Sequence, residues 1–90
     1  MLKLDIDHRS EKFINGRLPK HRGQILRKLE SLCLDPYPPD SKMLGGYSIL
    51  RADIGEYRIA YRVEESYLKV YMIGKRNDDD VYRRLKRLEK

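Results

Sequence analysis

Three short alternating segments, 47–53, 57–63 and 67–73, constrain this chain most; each opens on a tyrosine and only three residues separate one from the next. In the middle segment Tyr57, Ile59, Tyr61 and Val63 alternate with Arg58, Ala60 and Arg62. Successive side chains of a strand point to opposite faces, so the first set forms a buried face and the second an outer one. The gaps Ile54-Gly55-Glu56 and Glu64-Glu65-Ser66 are of hairpin length. The pattern predicts an antiparallel meander with one face buried.

The flanking segments supply the cover. Leu2, Leu4 and Ile6 alternate with Lys3 and Asp5, which reads as a first strand. Arg9 to Asn15 reads as a short helix stopped by Gly16, and Pro19 suits the first turn of a second helix. Ile25, Leu26, Leu29, Leu32 and Cys33 keep helical spacing along one buried stripe of that helix. The proline-rich stretch Asp35 to Asp40 reads as a stiff loop, and Gly45-Gly46 ends a second turn region. From Asn77 the acids Asp78, Asp79 and Asp80 complement a helix N-terminus, and Val81, Leu85 and Leu88 form its apolar stripe. The predicted order is β-α-α-β-β-β-α. This is an α+β fold, with two N-terminal helices packed on a mostly antiparallel four-stranded sheet and a C-terminal helix.

Ninety residues predict a single domain spanning 1–90. The formal charge of +6 selects an anionic partner: a nucleic acid, an acidic protein or an anionic membrane surface. No apolar run approaches the roughly 20 residues of a membrane helix, and the charged N-terminus does not read as a secretory signal. Cys33 is the sole cysteine, which excludes an internal disulfide and suits a reducing cytoplasm. His8, His21 and Cys33 make no recognisable zinc site, so neither a metal nor another cofactor is expected.

Three arginines then claim attention. Matching buried faces pairs Ala52 with Tyr57, Leu50 with Ile59 and Arg51 with Arg58. A tight turn at Glu65-Ser66 pairs Val63 with Leu68 and, by continuation, Arg58 with Ile73. Lys69, Tyr71 and Ile73 are then expected to face outward. Arg76 leaves the sheet beside Arg58, and Tyr82, one turn into the last helix, lies over the same end. Like charges directly opposite on a sheet repel, so such a cluster predicts an anion between them. Phosphate matches best, because guanidinium forks fit its oxygens. Taken singly, Arg58 reads as an exposed strand arginine, Lys75-Arg76 as a basic turn and Tyr82 as a packed helix tyrosine.

The residues Leu44-Gly45, Arg51, Gly55-Glu56-Tyr57-Arg58-Ile59-Ala60-Tyr61 and Ile73-Gly74-Lys75-Arg76, with Tyr82 beyond, resemble the RelE branch of the RelE/ParE toxin superfamily. The resemblance covers nearly the whole chain. It implies a cytoplasmic toxin that enters the ribosomal A site and cuts mRNA without a metal. In such a reaction the RNA's own 2′-hydroxyl attacks the adjacent phosphate and leaves a cyclic phosphate and a 5′-hydroxyl. It further implies a cognate antitoxin with an acidic or amphipathic segment. Carried over by position, Arg58 resembles the arginine that stabilises the transition-state phosphate, Arg76 the one that assists the leaving oxygen, and Tyr82 the aromatic that orients the nucleotide. Arg51 falls where the family often has lysine or arginine.

Arginine stays protonated, so Arg51 is a poor general base. Ile49 stands where some members carry a lysine, which leaves Lys75, Lys42 and Tyr82 as candidates for that role. Arg62, Lys69, Arg83 and Arg84 join Lys42 and Lys75 as expected contacts to substrate or ribosomal RNA. Two alternatives stay open: a ParE-like gyrase inhibitor and a nuclease-inactive RelE-fold binding protein. Arg76 and Tyr82 discriminate, because a gyrase inhibitor has no need of that constellation.

Overall fold

The computed structural model describes residues 1–43 and 49–76. The expected C-terminal helix, with Tyr82, Arg83 and Arg84, lies outside the described residues, as do Tyr47 and Ser48 of the first meander segment.

The chain opens with strand β1 (Lys3–Ile6) and helix α1 (His8–Asn15). Asp7 separates them and caps the helix, its carboxylate accepting the Ser10 N–H at 3.1 Å. The Gly16 N–H donates to the Lys12 carbonyl at 3.0 Å and closes α1. Helix α2 (Pro19–Leu34) begins at the proline, where a missing N–H costs nothing. Its residues Ile25, Leu29 and Leu32 are fully buried and pack with Ala52, Ile59 and Tyr61 of the sheet. Each such aliphatic side chain contributes about 1.5–3 kcal/mol by leaving water. Leu26, expected in the same stripe, is instead 45% exposed. With Met1, Leu2, Leu4 and Cys33 it lines an open apolar groove between β1 and α2.

After the proline-rich loop come β2 (Lys42–Met43), β3 (Leu50–Ile54), β4 (Tyr57–Glu64) and β5 (Tyr67–Lys75). The loop is tied down at both ends: the Tyr61 hydroxyl donates to the Pro36 carbonyl at 2.6 Å, and Lys28 Nζ donates to Asp40 at 2.9 Å. The sheet has five strands in the order β1-β5-β4-β3-β2, not four. The fifth is the two-residue edge strand β2, too short for any alternation to mark it. β1 runs parallel to β5 and the other neighbours are antiparallel, so the sheet is mixed.

Two register differences matter for the site. The β3–β4 turn uses two residues, Gly55 and Glu56, rather than the four (53–56) that pairing Ala52 with Tyr57 would leave; Gly55 has φ +57°, the left-handed conformation that a two-residue hairpin turn places on glycine. Ala52 therefore pairs with Ile59 and Leu50 with Tyr61, while Arg51 faces Ala60 and Asp53 faces Arg58. The expected pairing of Arg51 with Arg58 is two residues out. A two-residue slip keeps every apolar side chain on the buried face, so burial cannot distinguish the registers. Cross-strand charge can, and Asp53 opposite Arg58 is favoured over arginine opposite arginine.

The second difference is a bulge. Val63 pairs with Leu68 as expected, but Tyr61 pairs with Val70 and Ala60 with Met72, which leaves Tyr71 as the extra residue. Beyond it the faces exchange. Ile73 turns into the core at 1% exposure beside Ile59, and Gly74 rather than Ile73 stands opposite Arg58.

Candidate functional site

The buried half of the Tyr57-Arg58 dipeptide sets the exposed half. Tyr57 lies edge-on to Phe13 of α1 and to His21 of α2, with ring centroids 5.8 and 5.4 Å away. Its hydroxyl and His21 Nδ1 are hydrogen-bonded at 2.6 Å. A tyrosine pinned between two helices fixes the start of β4, and the pleat then sends Arg58 to the opposite face.

On that face Asp53 is the point of convergence. Arg58 donates to it through two atoms, Nε to Oδ1 at 2.8 Å and Nη2 to Oδ2 at 3.2 Å. Arg51 Nη1 lies 3.8 Å and Arg76 Nε 3.7 Å from Oδ2 of the same carboxylate. The three arginines come from β3, β4 and the residue after β5, and all reach one carboxylate. Arg76 is also tied to the β3–β4 turn: its backbone N–H donates to the Glu56 carbonyl at 2.9 Å, and its Nη1 to the Gly55 carbonyl at 3.3 Å. Hydrogen bonding from Arg58 holds the Asp53 carboxyl below the usual carboxylate range; partial burial opposes this, and the charges of Arg58, Arg51 and Arg76 add to the lowering. Among the described residues, three guanidinium groups meet one carboxylate there, an excess of positive charge.

The remaining expected residues divide by face. Lys42 pairs with Arg51 across the sheet edge and extends the same basic face. Lys75 pairs with Tyr57, which puts it on the helix side, away from Arg58. Arg62 and Lys69 are on the arginine face, but Arg62 lies four residues along β4 from Arg58, roughly 13 Å at strand rise. They form a second cluster around Glu64. Arg62 donates to Glu64 Oε1, Lys69 Nζ lies 3.1 Å from Oε2, and the Tyr71 hydroxyl donates to Oε1 at 3.2 Å. Arg62 and then Lys69 pull the Glu64 carboxyl down to about 2. These two cations thus already have a carboxylate partner.

Asp53 was missed by sequence reasoning. A signal for it existed: a two-residue turn at Gly55-Glu56 puts Asp53 directly opposite Arg58. No group of three or more His, Cys, Asp or Glu suited to a metal occurs among the described residues.

No protein-family model matches the chain, and no curated protein is significantly similar in sequence. Solved structures do match. The isolated Escherichia coli RelE toxin is 25% identical, with a TM-score of 0.74 over 98% of this chain and 99% of that one. A free-state arginine double mutant of the same toxin gives a TM-score of 0.79 at 25% identity, covering 97% of each chain. The archaeal RelE–RelB complex from Pyrococcus horikoshii gives 0.75 at 22% identity, over 86% of this chain and 97% of that one. The α+β fold described above is the fold of the RelE toxins, and the likeness supports this chain as a RelE-type toxin of a toxin–antitoxin system.

Proposed function

We propose that residues 1–90 form one RelE-like toxin domain acting as a ribosome-dependent endoribonuclease, which cuts mRNA in the A site and halts translation. The observation that carries this reading is the gathering of Arg51, Arg58 and Arg76 within 4 Å of a single carboxylate on the sheet face opposite the helices. An anionic group of the size of a phosphate meets three guanidinium forks there. In the proposed reaction the 2′-hydroxyl oxygen bonds to phosphorus as the bond from phosphorus to the 5′-oxygen breaks. Negative charge builds on the non-bridging oxygens, and preorganised guanidinium groups stabilise it in the transition state. Arg58 takes that role because its side chain is held most firmly. Arg76, at the edge of the patch, serves the departing 5′-oxygen, and Tyr82 supplies an aromatic face for an unstacked base.

Proton removal from the 2′-hydroxyl is the step for which the cluster offers least. Arg51 stays protonated, and Asp53 is too acidic to be an effective base near neutral pH. Lys42 is the candidate base on the correct face. The reading therefore assigns most of the acceleration to charge stabilisation and to positioning of the RNA by the ribosome. No metal or other cofactor enters it.

The partner we propose is a cognate antitoxin, since RelE–RelB complexes are among the structural neighbours. Its acidic residues would cover the arginine face, and an amphipathic segment finds an apolar counterpart in the groove beside Leu4 and Leu26. The comparisons do not favour a gyrase inhibitor or a nuclease-inactive binding protein. Primer extension on translating ribosomes tests the proposal. Discrete cuts within A-site codons that disappear in Arg58→Ala support it; intact mRNA with the wild-type protein refutes it.

A further inference from the structure

Asp53 has a place in the site that its chemistry alone does not announce. It is an acid beside Arg51, Arg58, Lys42 and Arg76 at one end of the sheet face opposite the helices, and among the described residues it is the one carboxylate paired with all three arginines. Without it, three guanidinium groups reaching one point of the sheet repel one another. With it, Arg58 is clamped side-on by two charge-assisted hydrogen bonds, and the looser Arg51 and Arg76 are drawn toward the same oxygen, Oδ2. The clamp is itself rigid. Asp53 sits on β3 directly opposite Arg58 on β4, next to the tight turn whose carbonyls hold Arg76.

We infer that Asp53 is a positioning residue: its carboxylate holds the three guanidinium groups in a fixed constellation before RNA arrives, so that phosphate is met by preformed donors rather than by mobile side chains. Its functional consequence rests on the nuclease reading above. Removing the carboxylate's charge leaves the patch more positive, so RNA attraction does not fall. What falls is the order of the donors, and with it the rate of the bound complex. Placement errors of about 1 Å at a reacting centre cost on the order of 100-fold in rate. A carboxylate that merely competed with the phosphate would give the opposite result, a faster reaction on removal.

Asp53→Asn separates these outcomes, since the amide keeps the shape and drops the charge. The full-length protein is assayed on ribosomes programmed with mRNA, under single turnover and at increasing toxin concentration. The saturating cleavage rate is expected to fall about 10–100-fold, with a half-saturating concentration unchanged or lower. An equal or faster saturating rate overturns the inference, as does a loss seen only in the half-saturating concentration. A second measurement needs no cleavage: hydrogen exchange of the arginine Nε protons, followed by nuclear magnetic resonance in the isolated protein. The Arg58 Nε proton, bonded to Oδ1, is expected to exchange about tenfold or more slowly in the wild type than in Asp53→Asn, the scale of one charged hydrogen bond. Fast exchange at Arg58 in the wild type refutes the clamp even if the variant does not fold. A wild type that cuts no mRNA defeats the nuclease reading, and the exchange measurement still decides whether Asp53 holds the arginines.

Discussion

Arg58→Ala tests stability and chemistry at once, and the two effects have different sizes. The substitution removes both hydrogen bonds to Asp53, at 2.8 and 3.2 Å. Breaking a fully buried ion pair costs about 3–5 kcal/mol. Here the side chains are 13% and 29% exposed, and Asp53 keeps Arg51 and Arg76 near Oδ2. The expected loss is therefore smaller, about 1–2 kcal/mol, where the range for ordinary hydrogen bonds meets that for bonds to charged groups. At roughly 4–8 °C per kcal/mol for a domain of this size, the melting temperature drops by about 5–15 °C. Cleavage is expected to fall further, by about 100- to 1,000-fold, the scale of one lost transition-state donor. With the variant folded at the assay temperature, the rate loss itself measures the contribution of Arg58 to the reaction.

Acid gives the second check. Asp53 has a folded-state pKa below its ordinary 3.8, chiefly because of Arg58. A depressed carboxyl adds stability that is present above the ordinary value and lost as pH falls through the folded one. In Arg58→Ala the depression shrinks, so the wild type's advantage is largest near neutrality and narrows below pH of about 4. Thermal melts of both proteins from pH 7 to pH 3 measure it. Equal melting temperatures at pH 7, or a gap that widens in acid, refute the reasoning.

Tyr61→Phe leaves the Pro36 carbonyl without its partner and is expected to cost about 1–3 kcal/mol in urea denaturation. Burial pushes the Tyr61 phenol up to about 12, so the wild type's advantage should be intact below its ordinary 10.0 and fade as pH rises toward the folded value. Ser10 is 2% exposed and its hydroxyl has no hydrogen-bond partner among the described residues, so Ser10→Ala should match or exceed wild-type stability; a loss above about 1 kcal/mol contradicts this. Glu64→Gln releases Arg62 and Lys69 from their shared carboxylate, and filter binding should show tighter single-stranded RNA binding with a salt slope steeper by up to about one.

Local signals were legible in this chain, and distances counted across turns were not. Gly16 closes α1 and Pro19 opens α2 where the sequence places them, because caps act over a few residues, while the Asp7 cap that starts α1 at His8 went unread. The faces of β4 were legible because Tyr57, Ile59, Tyr61 and Val63 keep strict alternation. Alternation cannot see a slip of two, and it cannot anticipate the extra residue at Tyr71 that sends Ile73 inward. Nor does a two-residue edge strand such as Lys42–Met43 have a period to detect. The arginine cluster survives the slip for a geometric reason. Arg51 opposes Ala60, two residues from Arg58 on the same face, and diagonal neighbours at roughly 7–8 Å remain within reach of long side chains. The reason for expecting an anion changes, however. Arg51 and Arg58 are not forced together in mutual repulsion; both turn toward Asp53. On the proposed reading the patch attracts phosphate because, among the described residues, Arg51, Arg58 and Arg76 outnumber the Asp53 carboxylate, and Lys42 stands on the same face.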